Sequence, residues 1–215
     1  MMHMAEQIFA KAPVIPVITI DDLDTAVDLC RALVDGGLPV LEVTLRTDLG
    51  LAAIPLIKAA IPSAIVGAGT VLNPQDLDRA LTAGSEFVIT PGLTPALLQA
   101  GSRCGVPFMP GVASVRELMC CLDDGLTALK FFPAEANGGA KTLKAFAGPF
   151  PEVAFCPTGG VGPDNLAEYL AVPSVKTVGG RWVTPRKVVA QQDWSTVSRL
   201  AREACEQVDR LRKQQ

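Results

Sequence analysis

The sequence predicts an α/β fold, a single (β/α)8 barrel of the TIM type that spans residues 1–215 as one domain. Short apolar runs rich in β-branched residues recur about every 20 to 26 residues, and helical patterns fill the intervals between them. Strands that alternate with helices at this spacing are typical of a parallel sheet with right-handed crossovers. The eight predicted strands are Val14–Ile20, Val40–Thr44, Ala64–Gly69, Phe87–Thr90, Pro107–Pro110, Ala128–Phe132, Val153–Pro157 and Ser174–Val178.

Capping signals mark the predicted helices between these strands. Asn73 and Thr94 each stand directly before a proline, which can occupy the first position of a helix. The residues Ser-Val-Arg-Glu at 114–117 fit a capping box, and Gly-Pro-Asp at 162–164 is a further predicted helix start. The amphipathic segment 194–215 predicts a terminal helix. Eight such units can close into a barrel, and an open doubly wound sheet is the structural alternative.

Composition and charge exclude several classes of protein. The net charge is −3 and no cluster of lysine and arginine occurs, so nucleic-acid binding is not expected. No stretch offers the roughly 18 apolar residues of a membrane span, and the N-terminus does not resemble a signal peptide, so a cytoplasmic protein is expected. Six scattered cysteines without a CxxC pair indicate free thiols. Because His3 is the single histidine, we expect neither a histidine-ligated zinc site nor a Ser-His-Asp or Cys-His nucleophile. No metal and no cofactor is expected.

A lysine inside a buried strand is the strongest single signal of function. Lys130 stands in an apolar run, where Phe131 and Phe132 would surround its amine with apolar surface. Burial disfavours the charged form of an amine, and a neutral amine is a nucleophile toward carbonyl carbon. Alternatively, the stem of this lysine packs in the core while its head reaches water. Lys176, which also lies in an apolar strand run, is the alternative nucleophile.

Other candidate side chains lie on predicted strands or just after them. Barrel enzymes have their active sites at the C-terminal ends of the strands. Glu42 lies on the second strand, and it fits either a proton shuttle or a structural ion pair with Lys130. Arg46 follows the same strand, where it either binds a substrate carboxylate through two hydrogen bonds or is an ordinary surface residue. Thr70 would add a hydroxyl at the end of the third strand.

Two pairs of glycines follow the seventh and eighth predicted strands. They are Gly159-Gly160 and Gly179-Gly180. The loops after these strands of a barrel often bind phosphate through backbone N–H groups at a helix start. One such pair alone is ordinary turn chemistry, so the signal lies in the two together. Combined with an amine, a carboxylate and a guanidinium, these turns predict a Schiff-base enzyme that acts on a 2-oxo acid.

Six motifs resemble one enzyme family in their order along the chain. The segments EVTLRT, GAGTV, TPGLTP, LKFFPAEANGG, PTGG and VGG are similar to those of 2-keto-3-deoxy-6-phosphogluconate (KDPG) aldolases, which also cleave 4-hydroxy-2-oxoglutarate (KHG). The resemblance covers Val14 to Trp182, and LKFFPAEANGG is its most specific part. It implies a class I aldolase, a lyase that reversibly cleaves KDPG to pyruvate and glyceraldehyde 3-phosphate, and KHG to pyruvate and glyoxylate. It also implies a homotrimer with a small 2-oxo acid as substrate.

The resemblance also implies a role for each motif residue. Lys130 forms the Schiff base with the pyruvate portion, and Glu42 is the general acid and base. Arg46 and Thr70 lie near the pyruvyl carboxylate. The residues that line the pocket or approach the phosphate are Pro91, Phe132, Thr158, Gly159, Gly160, Gly179, Gly180 and Arg181. Arg181 departs from the family pattern, in which a serine is expected after VGG.

Two other functions remain compatible with the residues. A phosphosugar isomerase on the same barrel needs an anion-binding turn and an acid/base pair but no Schiff-base lysine. A non-catalytic protein that binds an anionic metabolite would use Arg46 and the glycine turns, with Lys130 as a counter-charge. Borohydride in the presence of pyruvate separates these functions, because only an aldolase of class I acquires a covalently modified lysine.

Overall fold

Parallel strands in two sheets form the centre of the fold. The computed structural model describes residues 4–214, so His3 and the last residue of the predicted terminal helix lie outside it. The strands of this part of the chain are β1 (Val14–Ile18), β2 (Val40–Thr44), β3 (Ile65–Gly69), β4 (Val88–Ile89), β5 (Phe108–Met109), β6 (Gly111–Val112), β7 (Ala128–Phe131), β8 (Ala154–Pro157) and β9 (Val178–Gly180). One sheet has the order β5-β4-β3-β2-β1-β9, and the other has the order β6-β7-β8.

The two sheets approach each other at both edges. β5 and β6 belong to one chain segment and flank Pro110, which has no N–H to continue the ladder. β8 approaches β9 through two isolated parallel bridges, Phe155 to Val175 and Thr158 to Gly179. The fold is therefore an α/β fold with a curled parallel sheet, in which the strand ladder is interrupted at these two places.

Helices connect the strands and begin largely where the sequence predicts. They are α1 (Met4–Ala10), α2 (Ala26–Asp35), α3 (Leu49–Ala60), α4 (Pro74–Thr82), α5 (Pro95–Gly101), α6 (Val115–Asp123), α7 (Gly139–Phe146), α8 (Leu166–Leu170), α9 (Arg186–Ala190) and α10 (Trp194–Arg212). Asn73 and Thr94 cap α4 and α5, and Ser114 forms a full capping box with Glu117. The predicted start at 162–164 forms a turn that leads into α8, which itself begins two residues later at Leu166. None of the described helices is long and apolar enough to cross a membrane.

The apolar core is divided between the two faces of the sheets. A smaller cluster joins residues from β1, β2, β4, β5, β7 and β8, and Ile8 and Phe9 of α1 pack against them. Because this cluster draws on both sheets, the strands curve around it. The larger cluster lies between the sheets and the surrounding helices. The side chains alternate between the two clusters along each strand, as the period of two requires. The same alternation brings Glu42 and Lys130 to the inner side.

The last strand differs from the prediction. The apolar run Ser174–Val178 predicts a strand, but β9 comprises Val178–Gly180, so Gly179 and Gly180 belong to the ladder with β1 rather than to a turn. The physical reason is close packing, because a Cβ at Gly179 would collide with the Thr158 side chain and one at Gly180 with the Trp182 ring. Glycine is required here by contact, not by turn geometry.

Candidate active site

A buried ion pair joins the two sheets across their inner faces. Lys130 Nζ of β7 lies 3.1 Å from Glu42 Oε1 of β2, and both residues are almost wholly buried, with 4% and 1% of their surfaces exposed. The two residues are 88 positions apart in the sequence, so the curled sheet alone brings them together. The structure therefore places the predicted amine and the predicted carboxylate within one hydrogen bond of each other.

Glycines in the neighbouring strand make room for the carboxylate. A Cβ at Gly69 would collide with the Glu42 side chain, and one at Gly67 would collide with the ring of Phe87. Both glycines lie in β3, which pairs with β2 in parallel register. A glycine inside a strand commonly marks such a close approach. In the GAGTV motif, Gly69 thus accommodates Glu42 and Gly67 accommodates Phe87, and both lie in a strand rather than in a turn.

The surroundings of the amine are partly aromatic and partly sulfur-containing. The ring of Phe132 lies 5.2 Å from Lys130 Nζ, a cation–π distance. Phe131, which the sequence also predicts beside the amine, instead packs against Phe146 in the outer core, because successive side chains of a strand point to opposite faces. Cys156 is the register partner of Lys130 on β8 and is buried beside it. This cysteine carries no motif, and nothing in the sequence marks it as part of the site.

The alternative nucleophile does not occupy a comparable position. Lys176 is exposed, and its Nζ donates a hydrogen bond of 2.8 Å to the backbone oxygen of Pro173. It precedes β9 rather than lying in a strand, because that strand begins later than predicted. The structure therefore separates Lys176 from the buried carboxylate and leaves Lys130 as the lysine at the site.

Two residues expected near a substrate carboxylate lie at the ends of β2 and β3. Arg46 is exposed in the turn after β2, and its guanidinium forms no ion pair within residues 4–214. Thr70 is half-buried with a φ of 61°, a left-handed conformation that β-branched residues rarely adopt. Backbone strain of this kind is concentrated at functional sites. Neither side chain forms a hydrogen bond or an ion pair with Lys130 or Glu42.

The residues after β4 are hydrogen-bonded to the start of β6 and pack against it. The hydroxyl of Thr90 donates to the Gly92 oxygen at 2.5 Å and accepts from the Gly111 N–H at 3.1 Å. A Cβ at Gly111 would collide with the backbone of Pro91, which is half-buried. Gly111 is in turn the register partner of Lys130. The predicted pocket residue Pro91 thus lies next to β6, which pairs with the strand that carries the amine.

The turn after β8 presents two backbone donors. Gly159 and Gly160 have φ values of 97° and 83°, so both lie in the left-handed region that glycine favours. Within the described chain, the N–H groups of these two glycines donate no hydrogen bond to backbone or side chain. Thr158, directly before them, is buried on the inner face. Adjacent free N–H groups in such a turn form a concavity that binds anions.

A cavity of about 500 Å³ opens between the ends of β1 and β9. Its lining includes Val17, Thr19, Asp21 and the exposed Arg181. Much of the rest of its lining comes from β1 and the helices α2 and α9, and neither Lys130 nor Glu42 lines the cavity. Arg181 forms no ion pair in residues 4–214, and its guanidinium is available to a ligand. Thr19 and Asp21 lie in no motif, so only the folded chain identifies them as part of this cavity.

The known proteins that match the chain at about half identity include several aldolases. The family described as KDPG and KHG aldolase matches residues 5–200. The KHG/KDPG aldolase of Escherichia coli K12 is 52% identical over 202 residues, which cover 94% of this chain and 95% of the relative. The structure of the Legionella pneumophila KDPG aldolase, with pyruvate captured at low pH as a covalent carbinolamine intermediate, matches with a TM-score of 0.90 and 46% identity over 92% of this chain and 96% of that one.

A second solved structure agrees with the first. The 2-keto-3-deoxy-6-phosphogluconate aldolase of Zymomonas mobilis ZM4 with 3-phosphoglycerate matches with a TM-score of 0.89 and 46% identity, over 94% of each chain. The matches therefore extend over nearly the full length of the chain and of its relatives, at an identity of about one half. With the buried lysine and glutamate in place and the matched segment spanning residues 5–200, this chain belongs to the KDPG and KHG aldolase family.

Proposed function

We propose that this protein is a class I aldolase that reversibly cleaves KDPG to pyruvate and glyceraldehyde 3-phosphate through a Schiff base on Lys130. The observation that carries the proposal is the Lys130–Glu42 pair, in which a buried amine lies 3.1 Å from a carboxylate able to take its proton. Membership of a family of aldolases, which are lyases, supports the same reaction. The family description also favours KHG as a second substrate, cleaved to pyruvate and glyoxylate.

The first half of the reaction forms the Schiff base. Glu42 takes a proton from the Lys130 ammonium, and the neutral amine attacks the C2 carbonyl of the substrate. Glu42 then returns the proton to the carbinolamine hydroxyl, which leaves as water and gives a protonated iminium. One carboxylate serves both steps because it remains within hydrogen-bond distance of the nitrogen.

The second half breaks the bond between C3 and C4. Glu42 removes the proton of the C4 hydroxyl, the C3–C4 electron pair moves toward the iminium nitrogen, and the aldehyde leaves. The remaining enamine of pyruvate takes a proton at C3 and is hydrolysed, which releases pyruvate and regenerates the Lys130 amine. The iminium acts as the electron sink, so the reaction as written needs neither metal nor cofactor.

The remaining predicted residues would orient the substrate. Arg46 and Thr70 bind the carboxylate of the pyruvate half, supported by an unpaired guanidinium and a strained threonine at adjacent strand ends. Pro91 and Phe132 line the pocket around the amine. On the phosphate side we place Thr158, Gly159, Gly160, Gly179, Gly180 and Arg181, of which Gly159 and Gly160 offer the free backbone donors.

We also infer the larger organisation of the protein. The chain continues from β5 to β6 through Pro110, so these two strands count as one, and isolated bridges join β8 to the segment of β9. Both observations support one domain in which eight strands close into a (β/α)8 barrel. A homotrimer is in keeping with the family resemblance, and exposed apolar side chains at Leu72, Val115 and Met119 offer surface for association. Six cysteines without a disulfide among the described residues support a cytoplasmic protein.

Borohydride reduction in the presence of pyruvate tests the Schiff base. The wild-type protein is expected to gain a pyruvate-derived mass on the peptide that contains Lys130. Lys130→Arg removes the nucleophile and should abolish both the label and turnover, whereas the matched variant Lys176→Arg should keep both. A label on Lys176, or no label, would contradict the aldolase proposal and favour an isomerase or a binding protein.

A further inference from the structure

A tyrosine and a glutamate lie directly behind the glycine turn that ends β8. Tyr169 of α8 is buried, and its hydroxyl donates a hydrogen bond to Glu135 Oε1. Glu135 follows the strand of the Schiff-base lysine and begins a short 3-10 helix, Glu135–Asn137. The proposed reaction uses neither side chain, although the Glu135 side chain packs against Gly160 of the turn.

Glu135 holds one side of the turn. Its N–H donates to the Gly159 oxygen at 3.0 Å, and the N–H of Ala134 donates to the Thr158 oxygen at 2.8 Å. The aliphatic part of the Glu135 side chain runs along Gly160, where a Cβ would collide with it. The segment that follows Lys130 therefore fixes the backbone of the turn through hydrogen bonds and side-chain packing together.

Asn165 holds the other side. Its Nδ2 donates to the Gly160 oxygen at 2.9 Å, and its Oδ1 accepts from the Gly162 N–H at 2.9 Å. The carbonyl groups of Gly159 and Gly160 are thus both engaged by the protein. Their N–H groups are the donors that the described chain leaves free.

The direction of the Glu135 carboxylate decides whether an anion can use these donors. A carboxylate near a bound phosphate repels it, because both carry negative charge. In the structure Glu135 Oε1 instead lies next to Gly139, the first residue of α7, where the helix dipole favours a negative charge. Burial, together with the adjacent Glu135, raises the pKa of Tyr169, so the hydroxyl keeps the proton that it donates at neutral pH.

We propose that Tyr169 is a positioning residue that sets the preference of the site for phosphorylated substrates. Its hydroxyl holds the Glu135 carboxylate on the α7 side and thereby keeps the N–H groups of Gly159 and Gly160 available to a phosphate. This inference rests on the proposed function, since it takes the glycine turn as the phosphate end of the site. It adds a specificity determinant that contacts no substrate atom.

The test is Tyr169→Phe, which removes the hydroxyl and keeps the buried ring. We expect the KM for KDPG to rise about fivefold, the effect of a like charge at about 4 Å in a water-accessible site, with kcat nearly unchanged. The KM for KHG, which carries no phosphate, is expected to stay within about twofold of the wild-type value. If Tyr169 had only a structural role, the variant would change the KM for both substrates by a similar factor.

Two further variants isolate the charge. In the double variant Tyr169→Phe, Glu135→Gln, the released side chain is neutral, so the KM for KDPG should return to the wild-type value. Glu135→Gln alone still accepts the Tyr169 hydrogen bond and should leave that KM unchanged, a result that does not depend on how Tyr169→Phe folds. Glu168→Gln is the matched control, because it removes an exposed carboxylate next to Tyr169 that does not contact the turn.

The outcomes separate this inference from the proposed function. An equal change in KM for both substrates, no change for KDPG, or a double variant that does not recover would overturn the role of Tyr169. A fivefold rise for Glu135→Gln alone would do the same. A wild-type protein that turns over neither substrate would overturn the proposed function itself, and this inference with it.

Discussion

Lys130 and Glu42 form an ion pair of 3.1 Å in which both side chains are at least 95% buried. The desolvation penalty for burying two charges is often as large as the attraction between them. A buried ion pair is therefore weak evidence for a stabilising role. The pair also lies on the inner face of the curled sheet, and the strand next to Glu42 is followed by Thr70, which has a strained φ of 61°. A role in proton transfer explains this arrangement better than a role in holding the fold.

Glu42→Gln is the variant that separates these two roles. Glutamine keeps the shape, and its oxygen can still accept a hydrogen bond from Lys130, but it cannot take a proton. We expect kcat for KDPG cleavage to fall by roughly 100-fold or more, as general acid–base contributions imply. Steady-state kinetics and thermal unfolding of the same preparation check this. A variant that unfolds at a much lower temperature yet keeps its specific activity would indicate a structural pair.

Treatment with a chelator tests whether the iminium on Lys130, rather than a metal ion, is the electron sink. If the protonated iminium on Lys130 accepts the electrons of the C3–C4 bond, no Lewis acid is needed in the same step. Within residues 4–214 no group of three or more histidine, cysteine, aspartate or glutamate side chains is placed to hold a metal ion. Turnover is therefore expected to survive exhaustive treatment with EDTA. Activity that disappears on chelation and returns with a divalent ion would contradict the proposed mechanism.

The buried thiol beside the amine should be chemically inert. Burial raises the pKa of Cys156 to about 12, although the nearby Lys130 acts in the opposite direction. At pH 8 only about one thiol in ten thousand is then ionised, and the thiolate is the form that reacts. Iodoacetamide at pH 8 should leave Cys156 unmodified in the native protein and alkylate it in denaturant, as peptide mass spectrometry would show. Equal alkylation in both conditions would contradict this prediction.

The sequence predicts the reactive pair because strand periodicity is local information. Lys130 interrupts an apolar run, and Glu42 occupies the inner face of its own strand, so both can be recognised without knowing their partners. Tyr169 and Glu135 could not be paired in this way, since their contact joins positions 34 residues apart without any shared pattern. Cys156 likewise lies beside Lys130 only because β7 and β8 are paired in the folded chain.

The last strand shows how local pattern fails. The β-branched residues Val175, Thr177 and Val178 predict a strand, but pairing with β1 begins only at Val178. Tertiary contacts decide this register, because Gly179 and Gly180 must lie where Thr158 and Trp182 leave no room for a side chain. The strand therefore ends two residues later than its apolar pattern predicts.

Arg181 is the place where substrate preference can be tested directly. It follows β9 and lines the cavity at the ends of β1 and β9, and its guanidinium forms no ion pair in the described chain. An arginine here can form charge-assisted, bidentate hydrogen bonds to a phosphate, which a serine hydroxyl cannot. A guanidinium paired with a protein carboxylate would have been unavailable for this contact.

Arg181→Ser should therefore weaken the use of the phosphorylated substrate selectively. We expect kcat/KM for KDPG to fall about 10- to 100-fold, the range of a hydrogen bond to a charged group, while kcat/KM for KHG changes little. Arg186→Ser is the matched control, since Arg186 lines the same cavity but lies further from the strand end. An equal or improved kcat/KM for KDPG would mean that Arg181 projects away from the phosphate. A parallel fall for both substrates would instead place the side chain against the pyruvate half, which the two substrates share.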